Sequence, residues 1–188
     1  MRASDLMCPS GSAAYYELHV VRMGESLQWG FCTRVFQRHD TDSEVADDNG
    51  SWGVDGDRLL KWHEESTPLG GRQWRDGDVI GLACDLRADK YHAHTKETNQ
   101  SGTLDQAETG QTGGSIWVSL NGDFSPPYGL AFRLPQDLSG LFAAFTAESG
   151  VVKCNLGEEA FAYAPPGEGF EPMCFFPAPA GASCPDAK

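Results

Sequence analysis

The sequence predicts an all-β protein, an antiparallel sandwich or barrel of many short strands. Three observations carry this. Apolar and polar residues alternate with period two along several runs, as in strands with one buried face. Turn formers punctuate those runs, with 22 glycines and 11 prolines in 188 residues. No stretch sustains a helical period between caps.

Taken in order, "AAYYELHVV" places Tyr16, Leu18 and Val20 on one face and Tyr15, Glu17 and His19 on the other. "LQWGFCT" is a second short strand. "SWGV" forms a third, Asp55-Gly56 turns the chain, and "RLLKWH" continues on the other side. That hairpin places one of its tryptophan rings, Trp52 or Trp62, in the core, where indole burial is strongly stabilising. "VIGLACDL" lines up Ile80, Leu82, Cys84 and Leu86. "SIWVSLNGDF" alternates Ile116, Val118 and Leu120 with Trp117 and Ser119, then reaches Asn121-Gly122. Asn-Gly between strand-like runs signals a two-residue hairpin, because both positions need positive φ. "LFAAFTAESGVVKCNLG" reads as two strands joined at Glu148, Ser149 and Gly150.

Two segments break the rhythm. Residues 87–114 are polar, rich in Thr, Gln and Gly, and poor in large aliphatics, so a flexible insertion is expected. Residues 177–188, "PAPAGASCPDAK", read as a disordered tail.

Composition bounds the function. Hydrophobic residues make up 40% and aromatics 11%, enough for one domain's core. A net charge of -13 repels phosphate backbones and anionic bilayers, so neither nucleic acid nor direct membrane contact is expected. No run is long and apolar enough to span a bilayer. "MRASDLMCPSGSAA" lacks the apolar centre of a secretory signal. A cytoplasmic or nuclear protein with six reduced thiols is the expectation, and no Cys-x-x-Cys occurs. The chain opens almost directly on a strand, as a piece of a longer protein would.

Catalytic and metal signatures are weak. The acidic run "DTDSEVADDNGSWGVDGD" fails the EF-hand pattern: with Gly50 at position six, position one is Val45. With Gly56 there, positions one and twelve are Ser51 and Trp62. His92 and His94 lack a third ligand at metal spacing and read as surface histidines. The nucleophile elbow and both phosphate-cradling glycine motifs are missing. Cys84 and Cys154 fall on inward faces, where thiols behave as inert small hydrophobes. No enzyme activity, metal or cofactor is expected.

The order of segments carries more information than any one motif. The chain strings together Tyr15-Tyr16-Glu17, Trp29-Gly30, Ser51-Trp52 with Asp55-Gly56-x-Arg58, "WRDGDVIGLACDL", "SLNG" and "NLG". In this it resembles the SPRY domain over about residues 13–176, leaving 1–12 as an N-terminal extension. "PPGEGFEP" is similar to the form seen in ryanodine-receptor-like and some ubiquitin-ligase SPRY domains. The chain departs from the family in Ala13-Ala14, where Trp or His is usual before Tyr-Tyr-Glu, and in its long insertion. The resemblance implies a two-sheet antiparallel β-sandwich of the concanavalin-like jelly-roll kind, with Trp29, Trp52 and Trp74 as scaffold.

It also implies a protein-binding role. Loops at one edge would form a shallow pocket from Arg34, Val35 and Phe36, from Trp62 and His63, and from Glu148, Ser149 and Gly150. Phe36 is either a lid on the core or an exposed anchor. Relatives carry Val-Trp-Gly where this chain has Glu148, Ser149 and Gly150, so a different partner segment is expected. Asp40, Asp42, Glu44 and Glu148 suggest a basic one. Two roles fit: a substrate-recruiting or scaffolding domain of a larger protein such as a ubiquitin ligase, or a structural module packed inside a large assembly such as a calcium-release channel or chromatin complex.

Overall fold

The computed structural model describes residues 6–25, 27–36, 45–87 and 113–179. In chain order the strands are β1 Met7–Pro9, β2 Ala13–Arg22, β3 Leu27–Cys32, β4 Ser51–Asp55, β5 Leu60–His63 and β6 Glu65–Pro68. Then come β7 Val79–Asp85, β8 Gly114–Leu120, β9 Gly129–Leu134, β10 Gly140–Ala147, β11 Val151–Asn155 and β12 Glu171–Pro172, before a 3-10 turn at Met173–Phe175.

They form two sheets. The first runs β1-β10-β3-β4-β5-β6 and the second β11-β2-β7-β8-β9. All these neighbours pair antiparallel; β12 alone pairs in parallel, setting Glu171 and Pro172 beside Ala14 and Tyr15 of β2. The fold is therefore a two-sheet antiparallel sandwich. The alternation read from sequence orients the strands: Tyr16, Leu18, Val20, Ile80, Leu82, Cys84, Ile116 and Val118 all join the core between the sheets. The first sheet contributes Trp29, Phe31, Trp52 and Val54 to the same core. Trp29 and Trp74 meet with ring centroids 4.8 Å apart. The Tyr16 hydroxyl crosses between the layers to donate to the Gly30 carbonyl. At Gly56 a Cβ would lie 1.7 Å from the Trp74 ring, so the turn after β4 accepts only glycine there.

The outer face of the second sheet differs from a simple half-buried strand pattern. Tyr15 and Glu17 are fully buried although they point away from the core. Residues 156–170 cross over them. The Glu17 carboxylate accepts the amide N–H groups of Ala162 at 2.9 Å and Tyr163 at 2.8 Å, and the Tyr15 hydroxyl at 3.1 Å. Phe161 packs edge-on to Tyr15 at 4.8 Å.

The Asn121-Gly122 turn forms, with φ of 53° and 78°. It closes on a single bridge, Leu120 to Asp123, and β9 begins only at Gly129. Pro126 and Pro127 in between lack the N–H groups a ladder needs. β10 and β11 are joined at residues 148–150 as expected, but they belong to different sheets.

The segments read as appendages meet the sandwich. Met7–Pro9, placed by sequence in an N-terminal extension, pairs with β10. Pro177, placed in the tail, bridges to Leu6. Of the stretch read as an insertion, Gly114 opens β8 and Arg87 bonds to Asp85; residues 88–112 lie outside the described residues, as do 180–188.

Candidate functional site

A second, smaller apolar cluster sits on the outer face of the first sheet. Strand alternation that sends Leu141 and Ala143 inward must send Phe142 and Ala144 outward, and likewise Cys32, the last residue of β3, after inward Phe31. These residues, with Met7, pack against Phe36, Val45 and Ala46 from the chain between β3 and β4. Trp62 and Ala178 lean on the same cluster.

Polar groups fix this connection. Thr33 donates its N–H to the Gly50 carbonyl at 2.8 Å. The Val45 N–H reaches Thr146 Oγ1 at 3.0 Å, and the Ala46 N–H reaches Ser51 Oγ at 2.7 Å. Ser51 Oγ in turn donates to Asp48 at 2.6 Å, and the Glu64 N–H donates to the Ala46 carbonyl at 3.1 Å. Ala46 takes a φ of 79°, which these bonds hold in place.

The sequence-derived site residues then separate. Phe36 is only 9% exposed, so of its two readings the lid is the one observed. Its neighbour Val35 is 68% exposed, and Arg34 is exposed beside it. Trp62 stands opposite Gly53 on β4 and so faces outward, half-buried. The Arg58 guanidinium lies 5.0 Å from the Trp62 ring centre, and the buried indole N–H has no acceptor among the described residues. One residue on, His63 turns to the other face. It stacks on Trp52 and its Nδ1 lies 2.9 Å from the Ser51 carbonyl oxygen, in the scaffold rather than beside Trp62.

Glu148, Ser149 and Gly150 are elsewhere. Phe142 pairs with Cys32, just before Arg34, whereas Ala147 pairs with Leu27 at the far end of β3. Five residues of strand set these ends about 17 Å apart. The turn packs instead on the β2–β3 connection: Ser149 Oγ accepts the Glu25 N–H at 2.8 Å, and a Cβ on Gly24 would strike the Ser149 carbonyl oxygen at 2.1 Å. Asp40, Asp42 and Glu44 lie outside the described residues, as do His92 and His94.

Sequence reasoning missed the residues that hold the loop down. Val45 and Ala46 belong to no periodic pattern, because the loop follows the sheet's surface rather than a strand's own repeat. Thr146 follows the outward alternation of Phe142 and Ala144 in β10, but nothing in the strand marks it as the loop's anchor. Arg58 carried a faint signal in the Asp-Gly-x-Arg turn, where the buried Asp55 carboxylate binds the Arg58 side chain and the N–H groups of Asp57 and Arg58.

Among the described residues no three ligating side chains cluster as a metal site. Burial raises the Cys84 thiol well above its ordinary value, as does neighbouring Cys8. Burial, with Glu158 nearby, pushes Cys154 up to about 12. Neither geometry is that of an activated nucleophile. No helix among the described residues is long and apolar enough to cross a membrane. In comparisons with known proteins, the SPRY domain family model matches residues 13–104, beginning at the first residue of β2. No curated protein matches the chain.

Proposed function

The chain carries a SPRY domain, and we propose that it binds a partner peptide or protein surface through the exposed turn at Val35 and through Trp62, which packs on the same outer cluster as Phe36, the neighbour of Val35. SPRY domains are in general protein–protein interaction modules. The observation that carries the reading is the pairing of Phe36 and Val35. Phe36 is locked into the outer cluster while Val35, next to it, is two-thirds exposed. An apolar residue held out on an anchored loop loses little freedom on binding, which favours contact formation. Trp62 and Arg58 beside it supply the residue types that dominate protein interfaces.

The partner segment is basic, as the acidity of the chain favours. The domain serves as the substrate-recruiting or scaffolding part of a larger protein such as a ubiquitin ligase, working in the cytoplasm or nucleus without enzymatic activity of its own.

Panning the full chain against a random peptide library tests this, with Trp62→Ala and Val35→Asp run beside wild type. Enriched peptides that are lost on both variants, with the unfolding midpoint of Val35→Asp unchanged, are expected. Peptides retained by both variants would move the site away from this loop, and no enrichment at all would sink the peptide-binding reading. Affinity that does not fall between low and high salt would remove the basic-partner part.

A further inference from the structure

Among the described residues, three of the four sheet edges carry features that block pairing with another strand. At the far end of the first sheet, β6 is four residues long and contains Glu65 and Pro68. In the second sheet, β11 has a register shift between Val151 and Val152 and an exposed Lys153. At the other end β9 carries Arg133 and runs into Pro135. Charges, prolines and bulges at edges are the usual defences against unwanted strand addition.

The fourth edge ends in Pro9 where β1 pairs with β10, but beyond Met7, over residues 143–147 of β10, it has none of them. β1 covers β10 only at residues 140–142, while β10 runs on to Ala147. Among the described residues no strand lies beside 143–147 on that side. This half is Ala-Ala-Phe-Thr-Ala, with no charge, no proline and no register shift against β3. Phe145 is 37% exposed and Ala147 is exposed.

The direction of the backbone groups follows from β1. The Met7 N–H donates away from β10, to the Phe176 carbonyl at 2.8 Å. The hydrogen-bonded pair between β1 and β10 is therefore Cys8 with Leu141. Alternation along an antiparallel strand then aims the N–H and C=O groups of Ala143, Phe145 and Ala147 at the same side as those of Leu141. Ala143 is buried, so Phe145 and Ala147 present four backbone groups at an accessible edge. A strand in line with β1 would run antiparallel to β10, its N-terminal end at Ala147. Beyond Ala147 stand Glu148 and Glu25, with Asp76 bonded to the Met23 N–H and Arg22 as the cation among them.

We propose that this half of β10 takes up an extended segment of a partner protein as an added strand, with an apolar residue against Phe145 and a Lys or Arg at the N-terminal end of the segment, facing Glu148. The β3–β4 connection touches this half of β10 through the Val45 N–H on Thr146 Oγ1, but the backbone groups of Phe145 and Ala147 lie along the strand's edge, toward the end of the sandwich where Glu148, Ser149 and Gly150 lie.

The test titrates the full ¹⁵N-labelled chain with the peptide Arg-Thr-Val-Thr-Val-Thr, blocked at both ends. The expected result is saturable shifts of the Phe145, Ala147 and Glu148 amides, and slowed hydrogen exchange at Phe145 and Ala147. Proline at 147 removes an N–H that does not bond to β3, so Ala147→Pro is expected to weaken binding at least about tenfold. Ala147→Lys is a second variant that leaves the backbone intact and should weaken it similarly. Replacing the peptide's Arg by Glu should do the same. Trp62→Ala should leave this affinity unchanged, which separates the surface from the loop site. No binding, binding unaffected by both Ala147 variants, or shifts confined to Arg34, Val35 and Trp62 would each overturn the proposal. So would binding that appears only after removal of residues 1–5, since the edge would then belong to the chain's own N-terminus.

Discussion

The indole of Trp52 stacks on the imidazole of His63, ring centroids 4.7 Å apart and planes 18° from parallel. The contact joins β4 to the end of β5, while Trp62, one residue earlier, faces the opposite side of the sheet. His63→Ala removes the stack and the contact to the Ser51 carbonyl, and should destabilise the fold by about 1–2 kcal/mol in urea unfolding. Trp52→Ala, which empties the core, should cost about 3–5 kcal/mol. A His63→Ala variant as stable as wild type would show that the stack contributes nothing.

Asp78 makes a pH-dependent contribution. Burial pushes its carboxyl up, but the Arg72 fork at 2.7 Å on each oxygen, the Asn121 amide at 2.9 Å and the Arg75 N–H at 2.8 Å outweigh this and hold it below the ordinary 3.8. A carboxyl depressed in the folded state stabilises above its unfolded value and loses that stabilisation as pH falls through the folded one. Stability should therefore decline as pH drops below about 3.8. In Asp78→Asn the decline should be shallower, with stability near neutrality lower by about 1–3 kcal/mol. Parallel pH profiles for the two proteins would rule Asp78 out as a source.

Glu17 is the pin under residues 156–170. Two backbone N–H groups, a tyrosine hydroxyl and His19 converge on its buried carboxylate. Glu17→Ala should leave the Ala162 and Tyr163 amides exchanging with solvent much faster, and should destabilise by about 2–3 kcal/mol. The two amides bond to different carboxylate oxygens, so Glu17→Gln keeps one acceptor and sets its NH2 against the other N–H; its effect should be milder than that of Glu17→Ala. Unchanged exchange at both amides in Glu17→Ala would mean that Phe161 packing alone holds the segment.

The inward thiols should be unreactive. With Cys154 pushed up to about 12, almost none of it is thiolate at neutral pH. Its alkylation by iodoacetamide at pH 8 should be on the order of a thousandfold slower than that of free cysteine, judged by thiolate fraction. Cys84, buried completely, should be slower still until the chain unfolds. Peptide mapping after timed labelling separates these sites, and rapid modification of Cys84 in the folded state would contradict its placement.

Period-two alternation by itself determined β2, β7 and β8 and which of their faces meets the core. It put Tyr16, Leu18 and Val20 on one face and Ile80, Leu82 and Cys84 on another strand's single face, because a pleated strand leaves a side chain only two directions; their pairing in register came with the structure. The order of short motifs was enough to mark the family. Only the tertiary structure decided what covers the outward faces. Tyr15 and Glu17 look like solvent-side residues until residues 156–170 cross them, and Phe36 could be lid or anchor until the loop after β3 lay on Cys32 and Phe142. The same holds for the candidate site: Trp62 and His63 are adjacent in sequence yet face opposite sides of the sheet, and Glu148 stands at the far end of β10 from Arg34. Local sequence encodes a strand's own geometry, whereas the path of a loop across a sheet depends on contacts between residues distant in the chain, which no local period records.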